Sequence, residues 1–449
     1  MAKSNMSPAN RHAETLKALR EKQSRHVGGP LSKPFLEEPA AFTDLSARPS
    51  RKASGECISI PPLGRDPVMN LAEVIGDAAV DDIVMQEQLV FHSVGDTGNH
   101  DTQSDLVQVV QAMMYDFHRL HPADHPSFFL HLGDVCYDGT GQYVPTTLKK
   151  PMYDPQFYRP YDTYPRKILV LAGNHESNPQ EASDGMDQYV ENFCAAPPAE
   201  VPDPDGPRAP MYQPGAYFTL VAPFVDIICL FSNGMEGGYG AICSNKNVPT
   251  SDKIGNVQSD FLVKQLNAIA KSRAAGVRKA LIVAVHHPPY SGGGNAGSGF
   301  MLDDLDRAFD AGGVGPDVVI SGHSHNYQRF HRVDSAGGEV PYIVAGNGGH
   351  GPIGLLKLSR DRTPVRLPLH GAPRPGHPDD NHALYQYFNG YGYLSIVVTK
   401  DTLRIDFMGA YVQSRDPVDS VTVDLNKSEI IAQTKPFDHP APGEEGDRQ

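Results

Sequence analysis

The sequence predicts an α/β fold, in which short buried strands alternate with amphipathic helices. Five apolar runs of strand length occur from about residue 86 onwards, and they are LVFHSV, SFFLHL, KILVLA, ALIVAV and DVVI. Helical spacing of apolar residues marks two further segments, 104–120 and 259–276, the second ending on a glycine. Because the first helix lies between the first two runs, the pattern predicts a βαβ unit with parallel strands.

Polar side chains of metal-binding types follow each of the five runs. In chain order these clusters are Gly95-Asp96, Gly133-Asp134, Gly173-Asn174-His175, His286-His287 and Ser321-Gly322-His323. Open α/β sheets place their functional groups at the carboxyl ends of strands, so we expect these clusters to meet at one edge. The glycines suit sharp turns and a close approach of the backbone to bound ions.

The side chains in these clusters, together with two nearby ones, match two adjacent metal ions. They offer two carboxylates, one amide oxygen, three imidazoles and a phenolate, from Asp96, Asp134, Asn174, His286, His323, His325 and Tyr137. Taken singly, an aspartate after glycine is typical of a turn, and a lone histidine is typical of a core or surface position. The order GDTG, GDVCY, GNHE, VAVHH and GHSH, each after a strand, is what favours one shared site.

With these motifs the chain resembles the calcineurin-like metallophosphoesterases and, within them, the purple acid phosphatases. Most of that superfamily begins with an Asp-x-His pair, whereas here Gly98 stands in the histidine position of Asp96-Thr97-Gly98. Tyr137 stands where the purple acid phosphatases have their tyrosine ligand. The resemblance covers roughly residues 86–412. It implies a four-layer αββα sandwich of two mixed β-sheets flanked by helices, with a dinuclear metal site at the strand carboxyl ends.

The resemblance also implies how the two metal ions are held. The first ion would be bound by Asp96, Asp134, Tyr137 and His325, and the second by Asp134, Asn174, His286 and His323, with Asp134 bridging. Anionic oxygen ligands favour Fe(III) in the first position, while the second suits Zn(II), Mn(II) or Fe(II). Adjacent strand residues point to opposite faces, so only one of His286 and His287 is expected to face the metals. Motif alignment favours His286.

The implied activity is that of an acid phosphatase, which hydrolyses phosphate monoesters by attack of a metal-bridging hydroxide. His175 is the expected proton donor to the leaving group, oriented by Glu176, although a role limited to supporting its neighbours is also open. The loop SGGGNAGSGF after His286 lacks the histidines that relatives often carry there. A phosphodiesterase, a nucleotide pyrophosphatase, or a pseudoenzyme that binds phosphorylated ligands therefore stay as alternatives.

The pattern divides the chain into three parts. Residues 1–85 are predicted as a charged helix near 8–25 followed by an irregular arm, 86–428 as the catalytic domain, and 429–449 as a disordered tail. Three insertions are expected, and they either shape the site or are neutral: 138–165, 176–215 and 354–383. The histidines of the last insertion are expected to be solvated. The arm lacks the strand periodicity of the β-sandwich module of plant relatives, so no dimerisation through such a module is expected.

Composition limits the partners. The formal net charge is −14, and the sequence has no dense basic run, which argues against nucleic acid and anionic membranes as partners and leaves small phosphorylated substrates. The five cysteines form no CxxC pair, so we expect them to be reduced. The first residues are polar and lack the apolar segment of a secretory signal, which predicts a cytoplasmic protein. The pattern specifies no oligomeric state.

Overall fold

The computed structural model describes most of the chain from residue 60 to residue 434. The described residues are 60–98, 103–137, 153–177, 185–194, 212–234, 240–242, 257–292, 295, 297–333, 338–354, 369–370, 381–411 and 416–434. All of them belong to the unit Ser50–Gln449. The helix predicted near residues 8–25 lies outside them.

The described residues form strands and helices that alternate in the first half of the chain, as the sequence predicts. The strands are β1 Val68–Asn70, β2 Gln88–Val94, β3 Phe128–His131, β4 Lys167–Val170, β5 Phe218–Val221, β6 Val225–Cys229, β7 Ala280–Val285, β8 Val318–Ser321, β9 Tyr327–Val333, β10 Glu339–Ala345, β11 Leu369–His370, β12 Asn381–Phe388, β13 Gly392–Thr399, β14 Thr402–Gly409, β15 Asp419–Asp424 and β16 Glu429–Gln433. The α-helices are α1 Leu71–Ile75, α2 Asp77–Gln86, α3 Gln103–Arg119, α4 Asn174–Ser177, α5 Gly185–Tyr189, α6 Val257–Ala274 and α7 Gly299–Gly312. Short 3₁₀ or π turns occupy Pro122–Asp124, Asp154–Tyr158 and Val190–Cys194.

The strands form two mixed sheets. Sheet A has nine strands in the order β1-β5-β6-β7-β8-β10-β9-β12-β11, and sheet B has seven in the order β16-β15-β14-β13-β2-β3-β4. Strands β2, β3 and β4 are parallel neighbours, with α3 connecting the first two, so the predicted βαβ unit is present. In sheet A, β6, β7, β8 and β10 are parallel neighbours.

Three apolar cores separate four layers. The largest lies between the sheets and takes residues from both, for example Phe91 of β2 and Ile282 of β7. Helices α6 and α7 pack on the outer face of sheet A, and α3 packs on the outer face of sheet B. Because β7 is covered on both faces, all six of its residues are buried, which explains its continuous apolar run. The predicted αββα fold class is confirmed.

The sheets extend beyond the predicted limits of the domain. Strand β1 pairs with β5, and α1 and all but the last residue of α2 precede residue 86, so the predicted boundary lies too far along the chain. At the other end, residues 429–433 form β16 rather than part of a disordered tail, because they pair with β15. Residues 435–449 lie outside the described part.

The third predicted insertion, 354–383, is also partly wrong. Its last residues begin β12, and 369–370 form β11 beside it. His382, expected to be a solvated loop residue, lies in β12 with its ring stacked on Tyr290 at 4.3 Å between centroids. His377 lies outside the described residues. Three cysteines are described, and all three are free, namely Cys136, Cys194 and Cys229.

Candidate metal centre

The predicted site residues lie where the carboxyl ends of parallel strands from both sheets meet. Sheet B supplies Asp96 after β2, Asp134 and Tyr137 after β3, and Asn174 after β4. Sheet A supplies the remaining three, His286 after β7 and His323 and His325 after β8. All seven lie within one cluster of contacts.

Three of the strand-end turns hold a non-glycine residue in the left-handed region of backbone space. Asp96, Asp134 and His323 have φ angles of 57°, 54° and 67°. Such angles are uncommon outside glycine, and they gather at functional sites where the surrounding structure enforces them. The turns therefore aim these side chains inward at some cost in backbone free energy. Of the glycines that precede them, only Gly133 has a positive φ, at 99°.

The first group of donor atoms surrounds the hydroxyl of Tyr137. Its Oη lies 3.1 Å from Asp96 Oδ1, 3.2 Å from Asp134 Oδ2 and 3.3 Å from His325 Nε2. His325 Nε2 is also 3.5 Å from Asp96 Oδ1. Three oxygens and one imidazole nitrogen thus converge, which is a donor set suited to a hard, highly charged cation.

The second group surrounds the side-chain amide of Asn174. Its Oδ1 lies 3.1 Å from His286 Nε2 and 2.9 Å from His323 Nδ1. His286 Nε2 lies 3.2 Å from Asp134 Oδ2. The ligand atoms of Asp134, His286 and His323 are within 4.8 Å of one another, close enough to hold one ion. This group is richer in nitrogen than the first.

The carboxylate of Asp134 belongs to both groups through a single oxygen. Oδ2 faces Tyr137 on one side and His286 on the other. Its other oxygen, Oδ1, accepts the backbone N–H of His175 at 2.9 Å. The carboxylate is therefore fixed with one oxygen turned towards both groups, as a bridging ligand requires.

Backbone carbonyls orient two of the imidazoles. His286 Nδ1 lies 2.8 Å from Leu132 O, and His325 Nδ1 lies 3.0 Å from Gly351 O. Because a carbonyl oxygen only accepts, each Nδ1 carries the proton and each Nε2 is directed at the cluster. Asp96 is held similarly, since its Oδ2 accepts the backbone N–H of His323 at 2.7 Å.

Gly98 and Tyr137 are complementary in space as well as in chemistry. A Cβ added at Gly98 would lie 2.8 Å from Tyr137 Cδ2 and 2.7 Å from both Val135 O and Gln156 Oε1. The edge of the tyrosine ring therefore occupies the space that any side chain at residue 98 would need. This contact explains why the missing histidine and the added tyrosine occur together.

In the absence of a cation, the electrostatics of the first group favour the protonated forms of Tyr137 and Asp96. Burial raises the pKa of Tyr137 well above its usual value, and the carboxylates of Asp134 and Asp96 raise it further. Burial also raises the pKa of Asp96 well above its usual range. A phenolate at Tyr137 would therefore need a strongly charged cation beside it, and such a cation would displace the hydroxyl proton.

The imidazoles of the cluster differ in the direction in which their pKa values are shifted. Burial lowers the pKa of His286, but the Asp134 and Asp96 carboxylates outweigh it and raise the value to about 9. Burial lowers the pKa of His323 to about 3 and that of His325 to about 4. These two are therefore neutral, as metal-binding imidazoles must be.

His287 lies beside the second donor group, with its ring 4.3 Å from that of His323, and its side chain bonds elsewhere. Its Nδ1 lies 2.9 Å from Ser232 Oγ, which also accepts the backbone N–H groups of His286 and His287. His287 Nε2 is buried and has no hydrogen-bond partner among the described residues. His286 is the member of the pair that reaches the donor cluster.

Glu176 does not orient His175, so that prediction is wrong. Its buried carboxylate accepts four backbone N–H groups at 2.9–3.3 Å, from Asp134, Val135, Cys136 and Gly173. It therefore ties the turn after β3 to the turn after β4. Burial and the nearby Asp134 carboxylate raise the pKa of Glu176 to about 7. The side chain of His175 is exposed, and its ring lies 4.2 Å from that of Tyr137.

Two histidines beside the site were missed in the sequence. The His131 Nδ1 atom accepts the Gly133 N–H at 3.2 Å, so its Nε2 donates to Thr97 Oγ1 at 2.8 Å. This buried ring therefore links the turns that carry Asp96 and Asp134. His350 lies against Tyr137 with 3.6 Å between ring centroids. Its only signal in the sequence is its position directly after the glycine-rich segment 346–349, which follows β10.

Comparison with known proteins identifies the family. Residues 90–327, more than half of the chain, match the calcineurin-like phosphoesterases. The chain therefore belongs to this family, and the predicted superfamily is confirmed. The family uses a dinuclear metal site and hydrolyses phosphoric esters. The donor atoms described above fit such a site. A comparison with curated proteins gave no sequence match.

Several solved structures resemble this fold. The purple acid phosphatase PPD1 of yellow lupin, Lupinus luteus, aligns with 75% of this chain and 54% of its own, at 12% identity and a TM-score of 0.49. This chain thus spans about half the length of the lupin protein. GAP50, the anchor in the inner membrane complex of Plasmodium, aligns with 79% of this chain and 90% of its own, at 15% identity and a TM-score of 0.47. A dimetal phosphatase from Danio rerio aligns with 75% of this chain and 99% of its own, at 12% identity and a TM-score of 0.40.

Within the described residues, no helix is long and apolar enough to cross a bilayer.

Proposed function

We propose that this chain is a phosphatase of the purple acid phosphatase type, which hydrolyses phosphate monoesters at two metal ions bridged by Asp134. The observation that carries the proposal is the position of Asp134 Oδ2, which is 3.2 Å from both Tyr137 Oη and His286 Nε2. One oxygen thus adjoins two donor groups, of which only the first contains a tyrosine. That tyrosine fills the space left by Gly98, which is the combination that distinguishes this type from most of the superfamily.

The two donor groups differ enough to take different ions. Asp96, Asp134, Tyr137 and His325 supply mainly anionic oxygen, which favours Fe(III). Asn174, His286 and His323 add one neutral oxygen and two nitrogens to the shared carboxylate, which suits Zn(II), Mn(II) or Fe(II). When bound, the two ions neutralise the phosphoryl oxygens of the substrate and activate a water molecule for in-line attack.

The chain's own residues hold this arrangement and supply a proton. The backbone N–H of His175 fixes Asp134 Oδ1 at 2.9 Å, while its imidazole packs beside Tyr137 with its side chain exposed. As a solvent-exposed group beside Tyr137, this imidazole is the proposed proton donor to the departing alkoxide. Glu176 and His131 hold the turns that present the carboxylates.

The proposed substrates are small phosphorylated molecules. A net charge of −14 without a dense basic run gives the chain no electrostatic footprint for nucleic acid or anionic membranes. Local positive charge at the site would come from the bound ions, so an acidic protein can still attract a phosphate ester.

The experiment is a paired measurement of metal content and turnover. Protein reconstituted with Fe(III) and Zn(II) is assayed with an aryl phosphate monoester and with the matching diester. We expect two ions per chain, faster hydrolysis of the monoester, and a visible phenolate-to-iron band that disappears in Tyr137→Phe. Asn174→Ala should lose mainly the second ion, while His125→Ala, at the opposite end of β3, should leave metal content and rate unchanged.

The other outcomes assign the site differently. Preference for the diester would indicate a phosphodiesterase or nucleotide pyrophosphatase. Two bound ions without turnover of either ester would indicate a protein that binds phosphorylated ligands. An iron-loaded wild type without the visible band would leave a two-metal phosphoesterase and remove the purple acid phosphatase type.

A further inference from the structure

His350 reaches the site from sheet A through a backbone that lies against the Asp96 turn. After β10 the chain runs through Gly346 to Gly349, and the Gly348 N–H donates to Gly95 O at 3.0 Å. The His350 N–H donates to Asp96 O at 2.9 Å. The approach is close, since a Cβ at Gly348 would lie 2.5 Å from Gly95 O. The backbone of His350 is therefore fixed relative to the turn that carries Asp96.

The ring of His350 lies flat on the ring of Tyr137. Their centroids are 3.6 Å apart and their planes differ by 10°. His175 contacts the same tyrosine at 4.2 Å with a 45° tilt, and His325 meets His350 edge-on at 4.7 Å. Tyr137 is only 5% exposed. Two histidines and the Gly98 backbone thus enclose the ring whose hydroxyl enters the first donor group.

A side-chain hydrogen bond fixes the orientation of His350. Its Nδ1 lies 2.8 Å from the carbonyl oxygen of Gly98. Because that oxygen only accepts, Nδ1 carries the proton, and the plane of the ring is set by the same turn that Tyr137 packs against. The residue is thus held by Asp96 through its backbone and by Gly98 through its side chain.

We propose that His350 is a positioning residue for Tyr137, whose stacked ring keeps the tyrosine hydroxyl directed at Asp96, Asp134 and His325. The proposal rests on the proposed function in one respect, namely that Tyr137 is a metal ligand. The stacking itself can be tested without metal. Residues outside the set of metal ligands that orient those ligands commonly change metal affinity by about 10- to 100-fold when they are replaced.

The metal-free test measures how well Tyr137 is shielded. Wild type, His350→Ala and His350→Phe are exposed to hydroxyl radicals, and oxidation of each tyrosine ring is mapped by peptide mass spectrometry. Tyr115, Tyr212 and Tyr411, which are 49%, 42% and 49% exposed, should react in all three proteins. We expect Tyr137 to be protected in wild type and His350→Phe but to react in His350→Ala. Protection of Tyr137 in His350→Ala would overturn the proposal.

Oxidation of the fully buried Tyr161 would reveal a variant that has unfolded. If His350→Ala unfolds, His350→Phe decides the question, because a phenyl ring preserves stacking without the hydrogen bond. Protection of both Tyr137 and Tyr161 in that variant supports stacking, whereas reaction of Tyr137 alone overturns it.

The metal-loaded test separates this inference from the proposed function. With Fe(III) and Zn(II) bound, His350→Ala should hold iron about 10- to 100-fold more weakly than wild type in competition with a chelator. Its visible band should also be shifted. His350→Phe should restore most of both properties, and His125→Ala should match wild type. A colourless wild type contradicts the proposed function. A coloured wild type with an unchanged band and unchanged iron affinity in His350→Ala contradicts only the role of His350.

Discussion

Gly98 and Tyr137 are neighbours in the site, and the small size of the glycine leaves room for the tyrosine ring. A side chain at residue 98 would collide with the tyrosine ring, so the glycine creates the space and the tyrosine fills it. The tyrosine hydroxyl then lies 3.1 Å from Asp96 Oδ1, within reach of an ion held by that carboxylate. Under the proposed function, the first ion would then have an anionic phenolate as a ligand in place of a neutral imidazole.

Gly98→Ala should displace Tyr137 although it adds only a methyl group. The new Cβ would lie 2.8 Å from the tyrosine ring and 2.7 Å from the Val135 carbonyl, and the backbone oxygen cannot move aside. We expect loss of the visible iron band and of most phosphatase activity while the fold persists. Gly315→Ala is the matched control, because nothing lies within 4 Å of its added Cβ. Equal spectra for the two variants would show that the ring is not confined by residue 98.

His175→Ala should leave both ions in place and slow the reaction according to the leaving group. A general acid commonly contributes about 10²- to 10⁴-fold, so alkyl phosphates should slow by about that range. Aryl phosphates with acidic phenols need less protonation and should slow much less. The measurement is a plot of log kcat/KM against leaving-group pKa for wild type and variant. Parallel lines would mean that His175 does not donate the proton.

At the scale of elements, the turns after the strands carry the chemistry, and Glu176 joins two of them. It lies in the short helix α4, and its carboxylate accepts four backbone N–H groups from the turns after β3 and β4. The Asp134 turn has a φ of 54° at the aspartate, which the surrounding bonds must enforce. A carboxylate suits this role because it accepts from several donors and offers none.

Glu176→Gln should therefore weaken the site although the size of the side chain is unchanged. The amide nitrogen would replace an oxygen that now accepts two N–H groups, and each buried donor left unpaired costs about 1–3 kcal/mol. We expect a lower urea midpoint and weaker binding of both ions, because the bridging aspartate lies in the affected turn. Glu429→Gln, on the exposed edge strand β16, should change neither property. Wild-type stability and metal content in Glu176→Gln would exclude this role.

The sequence predicted the five strands that end in clusters of metal-binding residue types, and it missed the other described strands. Strands such as β7 have continuous apolar runs and were predicted, as were the turns that follow them. Strand β9 carries Arg329 and His331 at buried positions, so it has no apolar run. Strand β1 has three residues, too few for a pattern. The contacts of Glu176 and His350 depend on turns brought together from distant parts of the chain, which spacing cannot reveal.

At the scale of the whole molecule, a buried ion pair between described residues joins the two sheets. Arg329 of β9 in sheet A binds Asp419 of β15 in sheet B through Nε at 2.7 Å and Nη2 at 2.9 Å. Tyr327 also donates to the same carboxylate at 2.6 Å. Tyr327 and Arg329 follow directly on the His323–His325 turn. The pair therefore fixes the start of β9, next to the site, relative to sheet B.

Asp419→Ala should strongly destabilise the fold because it leaves the guanidinium of Arg329 buried without its partner. Breaking a buried pair from one side commonly costs about 3–5 kcal/mol, which urea unfolding would measure. The double variant Arg329→Met, Asp419→Leu should recover much of the loss, since no charge is left buried. Lys400→Ala breaks an exposed pair with Asp401 and should leave the midpoint unchanged. A similarly small effect for Asp419→Ala would show that the pair does not hold the sheets together.

The shared metal site is tested directly by anomalous X-ray diffraction from crystals of protein loaded with Fe(III) and Zn(II), recorded at both absorption edges. We expect two adjacent peaks, about 3.5–4 Å apart, on either side of Asp134 Oδ2. The iron peak should contact Tyr137 Oη and His325 Nε2, and the zinc peak should contact Asn174 Oδ1 and His286 Nε2. A single peak, or an iron position that does not touch Tyr137, would contradict the proposed site.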